Sequence, residues 1–165
     1  MRWTYVNINE VRTAGYGMDF NFRNHPHYSF TLSWTTTGLW NDFSNNAGTP
    51  NVYTWYSDVS ATFNYKFIKP GIDISLYNKF YGKAPQYILV DDKISLFELD
   101  KYNMMDISAS KRLLKNRLMV MAGAKNIFNV TDVKQTLDGN DYVSVRGSDL
   151  IAYGRTFFIK LSYNL

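Results

Sequence analysis

The chain has 165 residues, of which 45% are hydrophobic and 17% aromatic, with a net charge of +4 and no cysteine. The missing thiols exclude disulfides, thiolate metal sites and cysteine nucleophiles. Lys and Arg are scattered singly, with only Lys111-Arg112 adjacent, so the basic balance lacks the clustered footprint of a nucleic-acid binder.

Charged residues make up 19%, below the quarter or so usual for a soluble domain. Mean hydropathy is −0.30. Few charges, many rings and a mildly polar average suit a sheet with one apolar and one polar face. No stretch approaches the roughly 18 continuous apolar residues of a membrane helix, which leaves open a barrel, whose signal per strand is weak. No apolar leader opens the chain: Met1 to Asn9 already alternates like a strand.

Period 2 then runs through the chain. Tyr16, Met18, Phe20 and Phe22 alternate with Gly17, Asp19 and Asn21. Tyr28, Phe30, Leu32 and Trp34 alternate with Ser29, Thr31 and Ser33. Val59 to Phe67, Ile72 to Tyr77, Met105 to Ser110, Leu118 to Gly123 and Phe157 to Leu165 repeat the pattern. Alternation of this kind marks strands with two unlike faces. With the N-terminal segment the count is about eight antiparallel strands. Lys66, Lys79, Lys125 and Lys160 fall on the polar register.

The connections alternate as well. Asn24-His25-Pro26-His27, Lys69-Pro70-Gly71 and Lys115-Asn116 read as tight turns. Between them lie long polar connections at Asn41–Tyr56, Ala84–Asn103 and Phe128–Tyr153. Short turns at one end and long loops at the other are the asymmetry of an up-and-down transmembrane β-barrel. Large rings near strand ends, at Tyr28, Trp34, Phe67, Phe80 and Tyr163, stand where membrane barrels carry aromatic girdles. A small soluble barrel fills its interior mainly with Leu, Val and Ile. The fold class expected is therefore all-β, as one unit over residues 1–165.

Catalytic and metal motifs are weak. His25 and His27 flank Pro26 with no Cys or carboxylate cluster to complete a metal site. Asp138-Gly139-Asn140-Asp141 lacks the twelve-residue pattern of a calcium loop. Asp91-Asp92 reads as solvated surface, and Asn129-Val130-Thr131 is a glycosylation sequon only in form. Gly15-Tyr16-Gly17 precedes no helix that could cradle a phosphate. No Ser, His and Asp arrangement assigns a base to a nucleophile. The chain is expected to be neither an enzyme nor a cofactor carrier.

One element is more specific. Gly123-Ala124-Lys125-Asn126-Ile127-Phe128-Asn129 resembles the penultimate strand of TonB-dependent outer-membrane receptors. There the pattern is Gly, a small apolar residue, any residue, Asn, Leu or Ile, Phe, then Asp or Asn. Tyr153-Gly154-Arg155-Thr156-Phe157 resembles the opening of that family's last strand. Phe157, Ile159, Leu161, Tyr163 and Leu165 resemble its C-terminal signal for the barrel-assembly machinery, although that signal usually ends in an aromatic. Gly17-Met18-Asp19-Phe20 and Asp106-Ile107-Ser108-Ala109-Ser110 are similar to earlier strands.

The resemblance implies the C-terminal strands of a larger barrel of about 22 strands, without the plug. It implies uptake of an iron chelate, vitamin or glycan across the bacterial outer membrane. The partners implied are outer-membrane lipid, the remaining strands and plug, TonB and the assembly machinery. The residues alone also admit a complete eight-stranded membrane barrel with a structural or adhesive role, or a soluble β-rich binding domain.

Overall fold

A computed structural model describes residues 10–24, 27–41, 53–90, 93–137 and 149–164. Among them there is no helix. Seven strands form one antiparallel sheet. In spatial order they are β1 (Val11–Asn24), β2 (Tyr28–Asn41), β3 (Thr54–Phe67), β4 (Ile72–Tyr81), β7 (Tyr102–Leu113), β8 (Leu118–Lys125) and β12 (Thr156–Tyr163). These contain the seven segments in which rings and branched residues alternate with small polar ones, because both faces of a pleated strand are then satisfied. The expected eighth strand, Met1 to Asn9, lies outside the described residues. So do His25, Asp91-Asp92, Asp138 to Asp141 and Leu165.

The three short turns lie at one end of the sheet. Gly71 takes φ 64° and donates its N–H to Phe67 O at 2.9 Å. Arg117 N–H closes the third turn on Leu114 O at 3.2 Å, and His27 N–H closes the first on Asn24 O at 3.0 Å. The other end corrects one expectation. Ala84–Asn103 is not an irregular loop: β5 (Ala84–Val90) and β6 (Lys93–Leu99) form a hairpin, joined by β10 (Gln135–Leu137) into a second, three-stranded sheet. Phe128–Tyr153 likewise contains β9 (Asp132–Val133), β10 and β11 (Asp149–Leu150), with β11 pairing β9. The polar punctuation at Lys83, Pro85 and Asp91-Asp92-Lys93 hides two short strand runs, Tyr87 to Val90 and Ile94 to Phe97.

Register reveals a regular stagger. The first turn closes on the pair Asn24↔Tyr28, and Tyr28 faces Tyr65. The second closes on Phe67↔Ile72, two residues beyond Tyr65. Ile72 faces Lys111, and the third turn closes on Leu113↔Leu118, again two residues further. Each step of two residues spans two strands, which is one residue per strand in a constant direction. With about 3.3 Å per residue and 4.8 Å between strands, turns at one level require strands tilted by about 35°.

The sheet is a single layer with no deep core. Buried apolar residues among those described are Trp40, Leu96, Phe97, Ala124 and Val133. Phe97, at 1% exposure, anchors the small sheet. Within the described residues, β1 and β12 do not pair with each other, so the sheet is open at both edges.

Candidate functional site: a two-faced wall and a polar clasp

Opposed residues in an antiparallel pair share a face, so the registers sort every side chain. One face carries Phe20, Leu32, Phe63, Leu76, Ile107, Ala122 and Ile159, from strand to strand across the whole sheet. The same face holds the exposed rings Tyr16, Phe22, Trp34, Trp55, Phe67 and Tyr163. All five girdle rings expected from the sequence lie on it. Its polar intrusions are Thr36 bonded to Ser57 at 2.7 Å, Asn78, Asn103 and, toward the strand ends, Arg12 over the Trp40 ring, Asn24 and Lys111.

The rings gather at two levels. Near the short turns Phe22 meets Tyr28 at 5.8 Å and Tyr65 meets Phe67 at 4.5 Å. Toward the long connections Tyr16 meets Trp34 at 5.5 Å and Trp55 at 6.3 Å, and Tyr53 meets Trp55 at 5.9 Å. Trp55 lies across Gly38, where a Cβ would stand 2.9 Å from its ring; only glycine lets the indole lie flat there.

The opposite face is mainly polar, with Leu39, Met104, Met119 and Met121 among its apolar members. It carries Asp19, Asn21, Thr31, Ser33, Ser60, Thr62, Asn64 and Ser75, with Lys66, Lys79, Lys125 and Lys160 on the register expected for them. Lys79 Nζ lies 3.6 Å from Asp58 Oδ2 and 4.2 Å from the centre of the Tyr81 ring. Tyr81 stacks on Tyr102 at 4.4 Å. Two cavities open mainly on this side. One, of about 620 Å³, is lined by Arg23, Ser29, Asn64, Lys66, Asp73 and Ser75 among others. The other, of about 210 Å³, reaches Tyr77, Asp106, Ser108 and Lys125. Phe158 is an apolar intruder: it lies over Gly123, where a Cβ would be 2.7 Å from its ring, with Lys125 Nζ 6.0 Å from the ring centre.

The residues that carry the family resemblance come together between β8 and β12. Asn126, 3% exposed with φ 52°, donates its backbone N–H to Asp106 Oδ1 at 2.8 Å. Its Oδ1 accepts Val130 N–H at 3.0 Å, and its Nδ2 donates to Val130 O at 2.7 Å and Tyr153 O at 3.4 Å. Asn129 Oδ1 accepts Arg155 N–H at 2.8 Å. The Arg155 guanidinium donates twice to Ile127 O, at 3.1 and 2.6 Å. Ile127 N–H reaches back to Met105 O at 2.8 Å. Gly154 is required by closeness, since a Cβ would meet Asn129 Oδ1 at 2.7 Å. Phe128 stays exposed. Asn126, Ile127, Asn129, Gly154 and Arg155 thus form one clasp that satisfies the backbone where β8 leaves the sheet and β12 enters it, while Gly123 stays inside β8 beneath the Phe158 ring.

Asp106, Val130 and Tyr153 complete the clasp; Asp106 and Tyr153 stand in segments with the family resemblance, and nothing in the sequence links them, or Val130, to Asn126. Phe157, Ile159, Leu161 and Tyr163 of the expected assembly signal line one face of β12, 78%, 76%, 67% and 54% exposed. The clasp places no base beside a nucleophile. What the arrangement offers is a sheet with unlike faces, a regular stagger and a locked corner between β8 and β12. No protein-family model, curated protein or solved structure matches this chain.

Proposed function

We propose that the chain forms part of the wall of a transmembrane β-barrel in the bacterial outer membrane, as the C-terminal strands of a TonB-dependent transporter. Its activity is nutrient uptake, not catalysis. The observation that carries this reading is the exposed apolar face, continuous over seven strands, with rings at two levels on β1, β2, β3 and β12.

Three features support it. On β3, Tyr65 and Trp55 are ten residues apart on that face, a rise of about 27 Å along the axis at the tilt derived above. The apolar band of a membrane barrel is about 25 Å tall between its aromatic girdles. A stagger of one residue per strand gives a tilt at the low end of the 35–45° range of such barrels. The polar face, with its cavities and single lysines, suits a wet or plugged lumen, where charge escapes the cost of about 2–4 kcal/mol it carries at mid-depth on the lipid side.

The resemblance of the Gly123–Asn129 and Tyr153–Phe157 sequences to the receptors' last two strands, with the clasp that joins these segments, supplies the transporter part of the proposal. The free edge of β12, with alternate apolar side chains, suits strand addition during barrel assembly.

An open edge in hydrocarbon leaves unpaired backbone groups, each costing several kcal/mol. The 165-residue chain by itself is therefore expected to aggregate, or to need detergent, and to form no closed pore. Size-exclusion chromatography and a heat-shift gel in detergent test this. A monodisperse, heat-resistant monomer would instead favour the complete eight-stranded barrel.

A further inference from the structure

Charge is sorted along the strands. Within three residues of the short turns, or inside them, stand Arg23 and Lys66, Lys69 in the second turn, and Lys111, Arg112, Lys115 and Arg117 around the third. The same windows hold one acidic residue, Asp73, of the chain's fourteen. Seven cations against one anion give this rim +6, more than the +4 of the whole chain; Arg23, Lys66, Arg112 and the single Asp73 stand on the polar face, which leaves Lys111 on the apolar face and Lys69, Lys115 and Arg117 in the turns. The seven are exposed, and among the described residues none of them joins an ion pair. The ion pairs that do form there lie toward the other end, at Glu10–Arg12, Asp58–Lys79 and Lys83–Glu98.

We infer that the outer part of the short-turn rim, formed by Lys69, Lys111, Lys115 and Arg117, is a docking surface for the phosphate headgroups of anionic phospholipids in the adjoining leaflet. This rests on the membrane reading above. The choice of lipid over an acidic protein comes from continuity. Lys111 stands on the apolar face itself, between Ile72 and Val120 in register, and Leu113 and Leu118 of that face flank the turn carrying Lys115 and Arg117. A long cationic stem at that position lies along apolar surface and puts its ammonium at the headgroup level. Basic residues beside a membrane surface each favour anionic lipid, by an amount that falls off within a Debye length.

The test uses the full chain in dodecyl maltoside micelles, with energy transfer from its tryptophans to dansyl-labelled phosphatidylglycerol or phosphatidylcholine. Phosphatidylglycerol should half-saturate at a mole fraction at least about tenfold lower, and added sodium chloride should shrink the gap. Combining Lys69→Gln, Lys111→Gln, Lys115→Gln and Arg117→Gln should abolish the preference with the unfolding midpoint unchanged. Lys101→Gln with Lys134→Gln, exposed residues near the other end, should keep it. Inorganic phosphate should compete no better than sodium chloride of equal ionic strength; stronger competition would mark a free-phosphate site and overturn the inference. Equal half-saturation by both lipids would overturn it too and leave the rim to an acidic protein, with the membrane reading intact. Transfer from neither lipid would instead sink the membrane reading itself.

Discussion

Replacing Asn126 with alanine should cost the fold about 3–4 kcal/mol. The side chain closes three bonds with the backbone of Val130 and Tyr153 in a site where Asn126 is 3% exposed. A buried backbone group left without its partner costs about 1–3 kcal/mol. Alanine at φ 52° adds roughly 1–2 kcal/mol, because its Cβ crowds the following carbonyl, a conformation asparagine tolerates better. Asn126→Gly should recover the backbone part and still lack the bonds, so it should fall between the two. Asn126→Asp should not rescue, since a carboxylate cannot donate to Val130 O or Tyr153 O. Urea unfolding in detergent, followed by tryptophan fluorescence, reads these differences. A loss below about 1 kcal/mol for Asn126→Ala would mean that the clasp does not hold the corner.

The second large effect separates the two faces. Leu76 sits in the middle of the apolar face, between Phe63 and Ile107. Leu76→Arg should cost about 2–4 kcal/mol in a lipid bilayer. Its neighbour Ser75 faces the other way and lines both cavities. Ser75→Arg should cost less than about 1 kcal/mol, since surface changes usually stay within half of that. In water the order would reverse in kind, because arginine on an exposed apolar patch improves solubility. Reversible unfolding from vesicles gives both values, and equal costs for the two variants would reject the assignment of the faces.

How much of this was legible in the residues depends on range. The seven sheet strands could be read because alternation is local: Tyr28 to Trp34 and Phe157 to Tyr163 each state their two faces without reference to any neighbour. The lysines at 66, 79, 125 and 160 followed from the same parity. The hairpin of β5 and β6 was not legible as strands. Its two runs are short, Pro85 and Lys93 open them, and β6 is completed by β10, about forty residues onward.

The clasp was legible only as a resemblance. Asn126 and Asn129 are near in sequence, but their partners Asp106, Tyr153 and Arg155 come from strands and connections 20 to 27 residues away. Nothing in Asp106, an ordinary polar-register residue of β7, announces that it receives the Asn126 N–H. The stagger was equally hidden. It is set by pairing across the long connections, as in Tyr28↔Tyr65 and Ile72↔Lys111, and no local pattern encodes it. Both the clasp and the stagger matter to the proposed membrane wall, because one ties β8 to β12 and the other would set the strand tilt once the turns lie at one level.

The central claim is that one face of this sheet meets lipid and the other meets water. The most direct measurement is cysteine labelling at two adjacent positions of β3 in the assembled barrel. Ala61 lies on the apolar face opposite Leu32 and Asn78, and Thr62 on the polar face opposite Thr31 and Tyr77. The chain has no native cysteine to interfere. Cysteine at Ala61 should react with a lipid-phase maleimide and resist a membrane-impermeant one. Cysteine at Thr62 should escape the lipid-phase reagent. Because a slip of one residue exchanges the faces, the reverse labelling would reject the register. Rapid reaction of both cysteines with the water-soluble reagent would contradict the membrane wall itself.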